Sequence, residues 1–131
     1  MHIEATKKIV EKSNKEVFDF LVTIENFKIL MPDNIDKFEV LDEKTFKFAL
    51  SGMPEIVLRL KEQHPHNKII LGAASEKLPF TLTADITAID ESKSEVGLSF
   101  EGEFNAMMGM MIKHPITNFM ETLSKNMIKI V

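Results

Sequence analysis

The sequence predicts an α+β protein in which an antiparallel sheet covers a long C-terminal helix. Two helical segments support this class, because apolar residues recur at spacings of three and four in residues 13–30 and again in residues 106–131. Between them, from Asp36 to Phe104, apolar and polar residues alternate with a period of two. This alternation is typical of antiparallel strands that have one buried face and one solvent-facing side.

Composition narrows the class of protein further. A chain of 131 residues with 44% hydrophobic and 27% charged residues predicts one globular domain, residues 1–131. The absence of cysteine excludes disulfides and a cysteine nucleophile, and it fits a cytoplasmic location. No signal peptide or membrane-spanning segment is expected. A net charge of −4 with a single arginine argues against nucleic-acid binding.

The N-terminal region predicts one strand followed by two short helices. Residues 2–12 alternate loosely, as in a strand. Ser13 and Glu16 then form the Ser-x-x-Glu pattern of a capping box, in which each side chain binds a backbone N–H at the start of the helix. We expect the helix to break near residues 23–25. It should end before Pro32, because the residue that precedes a proline disfavours helical angles.

Alternating segments predict about six further strands joined by short turns. The turns are expected at residues 42–44, 51–54, 64–67, 76–77 and 90–93. If the tip of the turn at 64–67 is at 65–66, Leu60 faces Leu71, and if the next tip is at 76–77, Leu71 faces Leu82. This register places the apolar side chains of neighbouring strands on one face, whereas a shift by one residue would turn them all to solvent. We therefore predict consecutive antiparallel hairpins.

This order of elements resembles the START/Bet v 1-like (SRPBCC) superfamily. The resemblance covers the whole chain and is topological, with no short diagnostic motif. It rests on the capped helix at Ser13–Glu16, the stop at Met31-Pro32, the alternating strands and the apolar stripe of the last helix: Ile116, Phe119, Leu123, Met127 and Ile130. It implies the helix-grip fold, a curved antiparallel sheet of about seven strands wrapped around the C-terminal helix.

The resemblance also implies a cavity between sheet and helix. Members of the superfamily bind lipids, sterols, polyketides or plant hormones, and some are cyclases, ubiquinone-binding proteins or chaperone cofactors. The leading hypothesis is therefore a module that binds a small hydrophobic molecule (a lipid, isoprenoid or polyketide-like compound) without a cofactor. The inward-facing apolar residues predicted to bind it are Phe46, Phe48, Leu58, Leu71, Phe80, Leu82, Leu98, Phe100, Met108, Gly109 and Ile112.

A methionine-rich segment precedes Pro115 in the last helix. Four of the nine methionines lie in residues 107–111. With about 100° per residue, Gly109 would face inward. The outward side would carry Met107, Met110 and Met111, beside His114. Flexible thioethers suit core packing, the wall of a ligand site or a homodimer surface, and all three readings stay open. Pro115 removes a helical hydrogen bond, so a kink or a restart of the helix is expected there.

An enzyme of the polyketide cyclase or hydratase kind is the alternative, and it would need a polar pair inside the cavity. Glu62 and His64 continue the inward alternation of Leu58 and Leu60, so they are the weak catalytic candidates. A desolvated carboxylate has a raised pKa and can act as an acid or base beside a histidine. A strand that twists into solvent at this point would expose both residues instead. No metal site is predicted, since His64 and His66 lack a third ligand.

Overall fold

The computed structural model describes residues 1–50, 55–74 and 80–130. The strands are β1 His2–Glu4, β2 Lys8–Val10, β3 Ile35–Asp42, β4 Thr45–Leu50, β5 Ile56–His64, β6 Lys68–Ala73, β7 Phe80–Asp90 and β8 Lys93–Gly102. The helices are α1 Asn14–Val22, α2 Phe27–Leu30 and α3 Ala106–Asn126, with single 3₁₀ turns at Ile24–Asn26 and Met127–Lys129. The turns predicted at 51–54 and 76–77 lie outside the described residues.

The described strands form one antiparallel sheet. Its order is β1-β8-β7-β6-β5-β4-β3, and β2 also pairs with β8. Successive strands from β3 to β8 are neighbours, as expected for hairpins that follow one another in the chain. Because β1 and β2 share one partner strand, the sheet has seven strand positions. The predicted α+β class and helix-grip arrangement are confirmed.

The predicted register is confirmed in the middle of the sheet. Leu60 pairs with Leu71, and Leu71 pairs with Leu82 on the next strand. All three side chains are buried. The apolar alternation of the sequence therefore fixes which face of the sheet covers the core.

The capping box that begins α1 is confirmed. The Glu16 N–H donates to Ser13 Oγ at 3.1 Å, and the Ser13 N–H donates to Glu16 Oε1 at 3.4 Å. The helix breaks at Thr23, which is extended, and the chain resumes helical geometry until Leu30. Met31, immediately before Pro32, is extended as predicted.

The first strand differs from the prediction, because residues 5–7 interrupt it between β1 and β2. At this break α3 supplies hydrogen-bond partners to the backbone of Thr6. The Thr6 N–H donates to Glu121 Oε1 at 2.7 Å, and the Ser124 hydroxyl donates to the Thr6 carbonyl. Side chains of the helix thus tie down the interrupted edge of the sheet, which sequence alternation alone does not reveal.

The core lies between the sheet and the second half of α3. The buried face of this half carries Ile116, Phe119, Met120 and Leu123. The Phe119 ring stacks on Phe48 of β4 with a centroid distance of 5.0 Å. Sheet and helix are therefore in direct contact here, as the apolar stripe predicts.

The last helix is continuous through Pro115, so it does not restart there. Proline has helical φ, and its missing N–H only leaves the Met111 carbonyl without an intrahelical donor. Met111 lies on the exposed part of the helix, where water can take the place of that donor. The α-helix ends at Asn126 and a 3₁₀ turn follows. No helix in the described ranges is long and apolar enough to span a bilayer.

Candidate functional site

Most of the residues predicted to bind a ligand form a packed core. Seven of them are at most 3% exposed: Phe46, Phe48, Leu58, Leu71, Leu82, Leu98 and Phe100. Such burial leaves almost no surface that a water-sized void could reach. The other four remain partly exposed: Phe80, Met108, Gly109 and Ile112. The candidate binding site is therefore not at the middle of the sheet, where the predicted residues are packed.

The partly exposed residues meet at one end of the fold, which we call the open end. It comprises the ends of β6, β7 and β8 at Ala73, Phe80 and Gly102, together with the first half of α3, residues 106–115. Antiparallel pairing brings these strand ends together, since Phe80 pairs with Gly102. The start of the chain joins them, because the amino group of Met1 donates to the Gly102 carbonyl at 2.6 Å.

Three aromatic rings form an apolar surface at the open end. Phe80 stacks on Phe100 at 5.2 Å, and Phe100 stacks on Phe104 at 6.3 Å. Gly102 makes room for this arrangement, because a Cβ at that position would lie 2.6 Å from the Phe104 ring and 3.0 Å from the Phe80 Cβ. Phe104 was predicted to end the last strand, but it lies in the short connection between β8 and α3.

An open depression of about 740 Å³ adjoins this aromatic surface. The lining residues are Met1, His2, Lys61, Gly72, Ala73, Phe80, Thr81, Glu101, Gly102 and Glu103. His2 Nδ1 lies 3.0 Å from Glu101 Oε1. A lining that combines apolar side chains with charged ones suits a small amphipathic molecule.

The first half of α3 has two different sides. On the inner side, Gly109 lies near Met1, since an added Cβ would be 3.5 Å from the Met1 Cε, and Ile112 packs against the edge of the core. On the outer side, Met107, Met110 and Met111 are 75%, 82% and 71% exposed. The orientation expected from helical periodicity therefore matches the observed one.

Asn105 begins α3 and positions this half of the helix. Its Oδ1 accepts a hydrogen bond from the Met108 N–H at 2.8 Å, as an N-cap residue does. Asn105 was not predicted as an N-cap from the sequence, although an asparagine just before a helical apolar stripe is typical of a helix start.

The prediction that Glu62 and His64 face the interior is wrong. A β-bulge lies between Leu60, which pairs with Leu71, and Glu62, which pairs with Ile70. The extra residue reverses the alternation, and the side chains of Glu62 and His64 are 59% and 57% exposed. They lie 3.5 Å apart near the hairpin tip, at the opposite end of β5 from the open end. No desolvated acid–base pair results.

His66 has a structural place in that hairpin. Its φ of 68° lies in the left-handed region. Its ring meets the edge of Phe18 with a centroid distance of 5.7 Å, and its carbonyl accepts a hydrogen bond from Asn14 Nδ2 at 3.3 Å. These contacts seat the β5–β6 hairpin on α1.

A network of ion pairs joins β3 and β4 to Glu55, which immediately precedes β5. Lys37 Nζ is 3.3 Å from Glu55 Oε2, and this hydrogen-bonded pairing lowers the pKa of Glu55. Lys47 Nζ lies 3.4 Å from Glu39 and 3.5 Å from Glu55, and the bond with Glu39 is the main reason that the pKa of Lys47 is raised. The charges in this network are paired with each other and exposed to solvent. We therefore interpret the ion pairs as cross-strand contacts of the sheet and not as part of a binding site.

The fold is shared with START/Bet v 1-like proteins. Norcoclaurine synthase from Thalictrum flavum superposes with a TM-score of 0.76 at 10% identity, covering 98% of this chain and 84% of that chain. A protein from Thermus thermophilus gives 0.74 at 12% identity, covering 98% and 95%. A START superfamily protein from Mycobacterium smegmatis gives 0.73 at 11% identity, covering 98% and 94%. At these identities the likeness shows the fold.

Comparison of the sequence itself gives no match, either to a family model or to a curated protein. The assignment to this fold therefore rests on three-dimensional likeness. The structure adds the observation that the described core is packed and that the accessible apolar surface is concentrated at the open end.

Proposed function

We propose that the chain acts as a single cytoplasmic domain that binds a small hydrophobic molecule at the open end. The observation that carries this proposal is the open depression of about 740 Å³ lined by Met1, Ala73, Phe80 and Gly102, next to the half-buried ring of Phe104. Removing apolar surface from water is favourable by about 25 cal/mol for each Å². A ligand seated in the depression would contact Met1, Ala73, Phe80 and Gly102 at the ends of the strands.

The two glycines of the site support this placement. Gly102 allows Phe80 and Phe104 to approach each other, and Gly109 keeps the inner side of the helix free of a side chain. A glycine inside a helix lowers helix stability by about 1 kcal/mol relative to alanine. Its presence at position 109 therefore favours the interpretation that the space beside it is used to bind a ligand. Met108 next to it has a flexible thioether that can adapt to different ligand shapes.

Likeness of fold adds indirect support. Norcoclaurine synthase from Thalictrum flavum has been solved in complex with dopamine and hydroxybenzaldehyde, with a TM-score of 0.71 to this chain. The helix-grip arrangement in that protein thus accommodates small organic molecules. The ligand class proposed for this chain is a lipid, isoprenoid or polyketide-like compound. The two residues proposed for a cyclase-like activity, Glu62 and His64, do not lie at the open end, because they are at the opposite end of β5.

Filling the space at Gly109 is expected to weaken binding. A Gly109→Leu side chain would occupy the inner side of α3, and we expect at least about tenfold weaker binding of the apolar fluorescent probe N-phenyl-1-naphthylamine, equivalent to about 1.4 kcal/mol. The helix itself should tolerate the change, since leucine is a strong helix former. Fluorescence titration measures the affinity, and protein without tryptophan or tyrosine contributes little background.

Gly97→Leu is the matched control for this experiment. A Cβ at Gly97 would also lie 3.5 Å from a flexible side chain, that of Lys7, but on β8 away from the open end. It should bind the probe as the natural chain does. Equal binding by both variants would refute the placement, and native mass spectrometry of protein from its own source would show whether an apolar molecule co-purifies.

Self-association is a second candidate, favoured by the exposure of Met107, Met110 and Met111. Three neighbouring methionines on one side of a helix make an apolar surface that a second copy could cover. If so, the natural chain should have the mass of a dimer in light scattering, and the Met110→Lys/Met111→Lys variant should be monomeric. A monomer in both cases would contradict this candidate.

A further inference from the structure

The outer side of the first half of α3 places three thioethers and an imidazole in one stripe. With about 100° per residue, Met107, Met110, Met111 and His114 fall within an arc of roughly 100°. Residues three and four apart on a helix have Cβ atoms about 5–6 Å apart. The three methionines are 71–82% exposed, and His114 is exposed as well. Side chains one turn apart can therefore reach a common point in solvent, and Met110 and Met111 lie between Met107 and His114 along the helix.

His114 lies inside this stripe and not beside it. Its angular position is between those of Met110 and Met107, so an imidazole interrupts the apolar surface. A surface that only excluded water would be served as well by leucine and would gain nothing from a histidine at that point. The three thioethers and the imidazole therefore offer metal-binding donor atoms in addition to apolar surface.

Thioether sulfur is a soft donor that selects Cu(I) over harder cations, and imidazole is also a ligand for copper. Methionine has three rotatable bonds before its terminal methyl group, so sulfurs on neighbouring turns can converge on one ion. Residues 106–118 contain no aspartate or glutamate, so the segment offers no carboxylate to Ca²⁺, Mg²⁺ or Mn²⁺.

A neighbouring amide can orient the imidazole. Asn118 lies one turn further along α3, and its Nδ2 is 3.2 Å from His114 Nε2. Rotating this amide by 180° places Oδ1 at the same point, where it accepts a hydrogen bond from Nε2–H. Nδ1 is then the unprotonated nitrogen and can bind a metal, while Asn118 holds the ring as a positioning residue.

We propose that Met107, Met110, Met111 and His114 form a surface site for a soft monovalent cation, Cu(I). The site uses the outer side of α3, whereas the proposed hydrophobic ligand lies on the inner side, so each proposal can fail without the other. No electron transfer is involved, because the ion enters as Cu(I) and binds to neutral donors.

The direct test uses the full chain with ¹³C-labelled methionine methyl groups and two probes, Ag(I) and Cu(I). Ag(I) is a redox-inert soft cation, and Cu(I) is added without oxygen in competition with the chelator bicinchoninate. We expect one equivalent of either ion to shift the methyl signals of Met107, Met110 and Met111. The buried Met120 and Met127 should not respond. Unchanged signals from the three exposed methionines, or an equal response to Zn(II), would overturn the proposal.

Leucine variants separate thioether ligation from apolarity. Met107→Leu/Met110→Leu/Met111→Leu keeps an apolar helix but removes the sulfurs, so Cu(I) affinity should fall at least about a hundredfold. Met108→Leu, in the same segment but at the edge of the stripe, should keep the natural affinity, and His114→Gln should lose about tenfold. Binding of N-phenyl-1-naphthylamine by the triple variant should stay within about twofold of the natural chain. Equal Cu(I) affinity of the natural chain and the triple variant would refute the site.

Discussion

Replacing Phe46 with alanine is expected to lower the free energy of unfolding by about 3–5 kcal/mol. Phe46 is fully buried, and its ring stacks on Phe27, Phe38 and Phe48 at centroid distances of 5.1, 5.4 and 5.9 Å. The substitution removes contacts with α2, β3 and a neighbouring residue of β4 at once. Because these rings are fixed by separate elements, they cannot collapse into the space left behind.

Urea unfolding followed by circular dichroism measures this effect, since the chain lacks tryptophan. If Phe46→Ala does not fold, Phe46→Leu keeps the prediction testable, with an expected loss of about 1–1.5 kcal/mol. Phe80→Ala is the matched control at the open end, where the ring is only partly buried. Its loss should be less than half that of Phe46→Ala. Equal losses would contradict the division into a packed region and an open end.

Asn126→Ala is expected to cost about 1–3 kcal/mol. Asn126 is buried, and its Nδ2 donates to the Leu30 carbonyl at 2.9 Å. This carbonyl belongs to the last turn of α2, where helical partners are missing. Without the amide, an acceptor would stay buried and unpaired, and the end of α3 would lose its connection to α2.

Asn118→Ala provides the control, because it removes an asparagine from an exposed position of the same helix. Both variants replace an asparagine of α3 with alanine, but only Asn126→Ala removes a buried hydrogen bond, so the difference between their unfolding free energies reports mainly on that bond. Asn118→Ala should change stability by no more than about 0.5 kcal/mol. If the two variants were equally stable, the bond from Asn126 to Leu30 would contribute nothing measurable.

Features that depend on local chemistry were predictable from the sequence. The capping box at Ser13 and Glu16 needs only two side chains at the correct spacing, and the structure confirms it. The pairing of Leu60 with Leu71 follows from the position of a turn and the period of a strand. Helical periodicity likewise placed Met110 and Met111 on the outer side of α3.

Features that depend on distant contacts were not predictable. The bulge after Leu60 shifts the strand pairing by one residue. As a result, Glu62 and His64 face solvent instead of the interior. The break at Thr6 is stable because Glu121 and Ser124 form hydrogen bonds with the Thr6 backbone. No local sequence pattern predicts these two contacts. Whether the inner residues enclose a cavity depends on how closely α3 approaches the sheet. The alternation of apolar residues is the same for a filled and an empty interior.

The hydrogen bonds at Thr6 also have a consequence for the order of folding. The partners Glu121 and Ser124 are 115 and 118 residues away in sequence, whereas β3 to β8 pair with their immediate neighbours along the chain. Hairpins between adjacent strands close short loops, but the edge at Thr6 closes a loop of almost the entire chain, with a larger entropic cost. During synthesis the meander can therefore form early, whereas the bonds to the Thr6 backbone can form only after α3 has been made.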